Sequence, residues 1–314
     1  ARAAELGLRG AESERAVAES IVDFTVARLV YTVLLETRRA EAARESAQIA
    51  QRLHELLSRR VDVGESSPLE AVRARAEWFA RRRHALDSEA AVEAARSSLD
   101  LFCGRELGDG FNLSDSLEAG TLDALPSDLA DRLRARNPML LRAGIGVEEA
   151  QARIELTRKQ ALPRIDVIAG HEKELDRSAT SLALGLSIPI WNRNRGAVEV
   201  ATAERLRSST AARALTLELE TALAQATARY RRALSAARLH EEGWTEAARR
   251  SLDIASFSFR NGEASLLDVL DAQRSYLDVK LAEAESWAEL AFARSEIERM
   301  IGGPLREETT DAIQ

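Results

Sequence analysis

The chain has 314 residues, 45% hydrophobic, 30% charged and only 4% aromatic, with 6 prolines, 16 glycines, one cysteine and four histidines. One cysteine excludes a disulfide framework or a cysteine-cluster zinc site, and a net charge of -7 argues against a nucleic-acid surface. No run of 18 apolar residues occurs, so no helix reads as membrane-spanning.

Residues 13–60 contain neither proline nor glycine, and Val17, Ile21, Phe24, Leu29 and Val33 recur at helical spacing. This predicts a helix of roughly 48 residues, about 72 Å long. A break follows at Val63-Gly64-Glu65-Ser66-Ser67-Pro68, where Gly64 ends one helix and Ser67 and Pro68 begin the next, over about 69–102. Residues 104–126 are rich in glycine, serine and asparagine and read as irregular connector. Ser127 caps a short helix to about Asn137, and Pro138 starts another that ends near Ala161. Residues 164–171 and 180–190 then alternate as two strands of a hairpin, with 172–178 as a charged turn. Leu182, Leu184, Leu186, Ile188 and Ile190 fall on one face; Ala183, Gly185, Ser187 and Pro189 fall on the other. A second long helix, roughly 62 residues or about 93 Å, is expected to run through Gly243 to Phe259. It stops at Arg260-Asn261-Gly262-Glu263, and a last helix covers about 265–300.

Sliding the sequence on itself by 198 residues superimposes Gly64-Glu65 on Gly262-Glu263, Ser67 on Ser265, Glu70 on Asp268, Trp78 on Tyr276 and Gly104 on Gly302. The repeat unit is long helix, Gly-Glu tip, shorter helix, stop; at this size it is a duplicated structural unit. Only the second copy is preceded by a helix and a hairpin. By symmetry a helix and hairpin are missing before residue 1, so the chain is expected to be part of a longer protein. No secretory signal is present either: the protein is cytosolic or its true N-terminus lies upstream. Helices this long need coiled-coil or tubular packing. The alternating strand is close to the about 9–11 residues of a tilted transmembrane strand. A lone hairpin leaves backbone groups unpaired in lipid, so several chains must each donate strands to one barrel.

This organisation resembles the TolC family of outer-membrane efflux channels. Two segments carry the resemblance: Phe259-Arg-Asn-Gly-Glu-Ala-Ser-Leu-Leu-Asp-Val-Leu-Asp-Ala-Gln-Arg274, similar to the family's tip, and Leu186-Ser-Ile-Pro-Ile-Trp-Asn-Arg-Asn-Arg-Gly196, similar to its strand-to-helix turn. The Asn-Arg-Asn-x-Gly form is most like the CzcC branch, which serves cobalt-zinc-cadmium exporting pumps. The resemblance implies a mainly α fold: a long-helix periplasmic barrel joined to a transmembrane β-barrel in the outer membrane of a Gram-negative bacterium. It implies a homotrimer, docking of a periplasmic adaptor and an inner-membrane pump of the RND type, and passive export without catalysis or cofactor. The segments are then 1–103 (first long helix, tip and return helix), 104–126 (equatorial connector), 127–162 (leading helices), 163–191 (membrane hairpin), 192–302 (second long helix, tip and return helix) and 303–314 (tail).

By the same resemblance, Asp268 and Asp271 ring the narrowest aperture, with Glu70 in the matching place of the first repeat and Phe259 where the family can carry a tyrosine. Ala264 replaces an arginine that helps latch the closed tip in the family, so closure here rests on other contacts. Val63, Gly64, Glu65, Asn261, Gly262 and Glu263 are the expected adaptor contacts. From spacing alone, two acids three apart share one helix face and equally describe a solvated first turn. His54, His84, His171 and His240 show no metal-ligand spacing, and Cys103 aligns with the apolar Ile301. No nucleophile elbow or phosphate loop occurs. Two other functions fit parts of the pattern: a channel of the same fold for drugs or secreted proteins, and a soluble spectrin-like coiled-coil scaffold.

Overall fold

A computed structural model describes residues 2–108, 110–114, 116–117, 124–160, 162, 164–174, 177–187 and 194–305. The element order is α1 (Arg2–Asp62), α2 (Pro68–Phe102), α3 (Leu129–Arg136), α4 (Pro138–Lys159), β1 (Arg164–Glu174), β2 (Arg177–Ser187), α5 (Arg195–Glu241), α6 (Trp244–Arg260) and α7 (Leu266–Ile301). Contacts divide the chain into two units, residues 1–19 with 130–221 and residues 20–129 with 222–314. These units cut across the segments read from the sequence, because α1 and α5 each contribute to both.

Three expectations are corrected. Helix α1 has 61 residues, because Gly7 and Gly10 are carried inside it and the helix begins at Arg2. The second long helix is not continuous: Gly243 takes φ 101°, in the left-handed region, and separates α5 from α6. The strands extend through the charged stretch read as a turn, pairing Glu172 with Ala179 and Glu174 with Arg177, since ladder bonds use backbone groups whatever the side chain.

In the first unit, Asn137 caps α4 by accepting from the amides of Met139 and Leu140 at 2.9 and 3.1 Å. Arg142 of α4 pairs with Glu14 of α1 at 2.7 Å, and Arg134 of α3 with Glu220 of α5 at 2.7 Å. The antiparallel register sets Ile165 against Leu186, Val167 against Leu184 and Ala169 against Leu182, an apolar patch on one face that gives way to polar residues where His171 meets Thr180. Leu182, Leu184 and Leu186 are exposed, the first two by 74% and 75%. Ile188 and Ile190, expected on the same face, lie outside the described residues.

In the second unit, α7 is the axis, with fifteen buried residues against three in α2. Small side chains let the helices approach closely: Ala40, Ala43 and Ala50 of α1 and Ala288 and Ala293 of α7 are almost fully buried. Arg44 of α1 pairs with Glu89 of α2 at 2.6 Å, Arg39 of α1 with Glu285 of α7 at 2.6 Å, and Arg232 of α5 with Glu289 of α7 at 2.6 Å. Exposed pairs of this kind contribute about 0–1 kcal/mol each, so they align the helices while apolar burial holds them.

The duplication is visible in backbone hydrogen bonds. The amides of Gly64 and Glu65 donate to the carbonyls of Val61 and Arg60; 198 residues later, Gly262 and Glu263 donate to Phe259 and Ser258. Both glycines are left-handed, φ 77° and 81°, which closes each helix with a two-bond glycine cap. The distal ends match too: Arg105 donates to Asp100 as Gly303 donates to Glu298, with Gly104 and Gly302 left-handed.

Candidate functional site

The two tips lie together in the second unit. Each return helix begins with the same reciprocal cap. The Ser67 hydroxyl accepts from the Leu69 amide and the Glu70 carboxylate accepts from the Ser67 amide at 3.3 Å. The Ser265 hydroxyl accepts from the Asp268 amide, and the Asp268 carboxylate accepts from both the amide and the hydroxyl of Ser265, at 2.8 and 2.7 Å. These bonds stabilise the anion, and the Ser265 hydroxyl followed by its amide holds the Asp268 carboxyl below its ordinary pKa. Asp271 is exposed one turn further along.

Beneath the tips, Leu53 and Leu57 of α1, Ala74 of α2, Phe259 of α6 and Leu266 and Val269 of α7 form one buried cluster. Phe259 is therefore a core residue of this chain, 6% exposed. Val63, Gly64, Glu65, Asn261, Gly262 and Glu263 are all exposed on the turns themselves.

Arg60, not anticipated from the sequence, joins the tips. From the last turn of α1 its guanidinium donates to the carbonyl oxygens of Phe259, at 3.4 Å, and Arg260, at 2.5 Å, and lies 5.5 Å from the centre of the Phe259 ring. Those carbonyls end α6, where a cation is favoured. The signal in the sequence was only a basic residue before Gly64, matched by Ser258 in the other repeat.

Two polar networks up the rods were also missed. The Gln273 amide, 1% exposed, donates to the Ser46 carbonyl at 3.0 Å. One turn away, Glu45 accepts from Lys280 at 2.5 Å and from the Tyr276 hydroxyl at 3.0 Å. Burial works against the Glu45 anion, but Lys280 and Tyr276 outweigh it and leave its pKa low. At the α5–α6 break, the Thr245 hydroxyl donates to Glu283 at 3.0 Å and lies 3.0 Å from His240 Nδ1. His240 is 7% exposed, stacks on Trp244, and its Nε2 is buried without a partner. Burial lowers its pKa, with Glu283 opposing. Among the described residues, no group of three or more His, Cys, Asp or Glu is placed to hold a metal ion, and no helix is long and apolar enough to cross a membrane.

Paired glycine tips on duplicated rods, with a strand hairpin between the repeats, define the class: the chain belongs to the outer membrane efflux protein family, whose sequence profile matches residues 129–303. It is 26% identical over 280 residues to the cobalt-zinc-cadmium resistance protein CzcC of Cupriavidus metallidurans, covering 87% of this chain and 65% of that protein. The chain thus spans about two thirds of the length of this curated relative. Its fold is that of the channel protein CusC (TM-score 0.84, 18% identity, 96% of this chain and 72% of that one). It is equally that of the MtrE outer membrane channel of Neisseria gonorrhoeae (TM-score 0.81, 21% identity, 97% of this chain and 71% of that one). Family membership leaves the soluble scaffold reading without support.

Proposed function

We propose that this chain is the outer-membrane channel subunit of a three-component efflux system, a passive conduit from periplasm to exterior for heavy-metal cations. It acts as a homotrimer. The hairpin within residues 163–191 contributes to a shared barrel in outer-membrane lipid, and the helical rods line a periplasmic tunnel. Val63, Gly64, Glu65, Asn261, Gly262 and Glu263 meet a periplasmic adaptor, behind which an RND pump supplies the energy. Asp268 and Asp271, with Glu70 nearby, present carboxylates where the tunnel narrows, attracting cations and repelling anions. Phe259 acts beneath that aperture, through the core that sets the tips. The reading of the cargo rests on the likeness to CzcC, a protein named for cobalt-zinc-cadmium resistance.

The observation that carries the proposal is the ribbon. Ile165, Val167, Leu182, Leu184 and Leu186 share one face, each more than 60% exposed, on a two-stranded sheet with both outer edges unpaired. Such a ribbon is too small to be stable in water, and its edges do not survive in lipid unless further strands pair them. Copies of the chain that close one barrel satisfy both conditions.

The test uses the full-length protein. A detergent-requiring oligomer that gives single-channel steps in a planar bilayer is expected, and a deletion strain should become sensitive to cobalt, zinc or cadmium. A freely soluble monomer refutes the channel. Unchanged metal tolerance beside new sensitivity to organic drugs refutes the cargo.

A further inference from the structure

Where the ribbon meets the helices, the first unit gathers cations that the fold does not use. Residues 157–165 and 192–198 together hold five of them, Arg158, Lys159, Arg164, Arg193 and Arg195, and no acid. The two stretches meet in the structure: Asn194, left-handed at φ 56°, donates from its side-chain amide to the Thr157 carbonyl at 3.1 Å. Arg158 and Lys159 follow Thr157 in the last turn of α4, and Arg195 follows Asn194 as the first residue of α5. All three are exposed, and none of the three side chains makes a hydrogen bond or ion pair among the described residues.

The helices do not account for this charge. Cations suit the C-terminal end of α4, but Arg195 stands at the N-terminal end of α5, where the dipole disfavours a cation, and the first turn of α5 holds no acid. The nearest acids in sequence, Glu155 and Glu199, lie a turn further inside the two helices. Like charges brought together repel, and an anion bound among them relieves the repulsion.

The surroundings select the anion. Beside the cations, Leu156 and Leu162 are 49% and 63% exposed, and the apolar patch of the ribbon starts one residue past Arg164, at Ile165 and its partner Leu186. Asp166, the first acid beyond, takes the other face of the strand by alternation. Positive charge, exposed leucine and apolar ribbon thus follow one another at one end of the unit. We infer that this junction binds an anionic phospholipid, its phosphate among Arg158, Lys159 and Arg195 and its acyl chains along Leu162 and the ribbon. The inference rests on the channel reading and assigns the lipid that surrounds the base of its barrel. In that reading the helices are periplasmic, so the lipid belongs to the periplasmic leaflet, and neighbouring copies together form a cationic collar. A small soluble phosphate would meet the charge but leave the leucines in water; a lipid meets both.

The test uses the full-length channel in neutral detergent, titrated with phosphatidylglycerol, with phosphatidylcholine and with inorganic phosphate, the bound lipid being counted by native mass spectrometry. Phosphatidylglycerol is expected to bind roughly tenfold or more tightly than phosphatidylcholine, and an excess of inorganic phosphate to leave it bound. Arg158→Gln with Lys159→Gln and Arg195→Gln is expected to abolish the preference with the oligomer intact. Arg195→Gln alone, which removes a cation that the α5 dipole disfavours, should lower it roughly fivefold, and Arg195→Lys should keep most of it. An oligomeric channel that binds the two lipids equally, or whose Arg195→Gln variant keeps the full preference, overturns the lipid site while the channel reading stands. Displacement of the lipid by inorganic phosphate overturns the lipid as occupant. A freely soluble monomer overturns both readings.

Discussion

The clasp between the tips can be tested by removing Arg60. Its bond to the Arg260 carbonyl is short and charged, worth about 1.5 kcal/mol before solvent screening. The 3.4 Å contact to Phe259 adds a few tenths, and the cation–ring contact at a half-exposed site adds about 0.5 kcal/mol. Screening brings the total back to about 1.5 kcal/mol, a factor of roughly ten in a local opening equilibrium. The affected equilibrium is fraying of the last turn of α6, whose Phe259 and Ser258 carbonyls also accept from Gly262 and Glu263. Hydrogen exchange of the full-length channel, followed over residues 257–265, should therefore accelerate roughly tenfold in Arg60→Ala. Arg60→Lys should fall between, keeping a charge but losing the two-pronged donor. Arg59→Ala is the control, one residue away and exposed. Less than a twofold change in Arg60→Ala, or an equal change in Arg59→Ala, refutes the clasp.

Three further outcomes follow from the same geometry. Leu57→Ala, at 0% exposure in the tip cluster, should cost about 2–5 kcal/mol, read by denaturant unfolding; a cost below 1 kcal/mol would mean the cluster is not packed as described. Gly262→Ala forces φ 81° on a side chain and should cost roughly 1–2 kcal/mol, whereas Gly303→Ala, outside the left-handed region, should not. His240 is held below its ordinary value by burial, so the unfolded state binds the proton more readily. Its stabilising contribution is complete above about pH 6.5 and declines as pH falls through that value. Intrinsic-rate-corrected exchange over residues 240–247 should rise between pH 7.5 and 5.5, and the rise should vanish in His240→Gln.

Helix ends were legible where a local residue enforces them: Gly64 and Gly262 supply the left-handed turn, and Ser67 and Ser265 supply the caps. The repeat was legible because those signals recur at one offset, and the backbone bonds recur with them. Gly243 was not, because a lone glycine in a helical pattern costs only about 1 kcal/mol against alanine and does not reveal whether the helix breaks. The strand limits failed at Glu172–Glu174, where charge suggested a turn although pairing is a backbone matter. Gln273, Glu45 and Arg60 act through partners some 200 positions away, beyond any local pattern.

The two tip acids differ in a way that spacing concealed, and this changes how the aperture should be tested. Asp268 accepts from the amide and hydroxyl of Ser265, so its carboxylate is part of the helix cap. Its pKa is depressed; the stability it contributes is present above the ordinary carboxylate range and lost as pH falls below it. Asp271 is exposed and makes no hydrogen bond or ion pair among the described residues, so its charge is not committed to the cap. Neutralising both together mixes loss of charge with loss of the cap. Asp271→Asn alone should weaken block of single-channel current by divalent cations and leave exchange over residues 265–270 unchanged. Asp268→Asn should change both, since an amide keeps an acceptor for Ser265 but not the anion. Unaltered block in Asp271→Asn, with altered block in Asp268→Asn, would show that the cap shapes the aperture through backbone position and that Asp271 has no part in attracting cations.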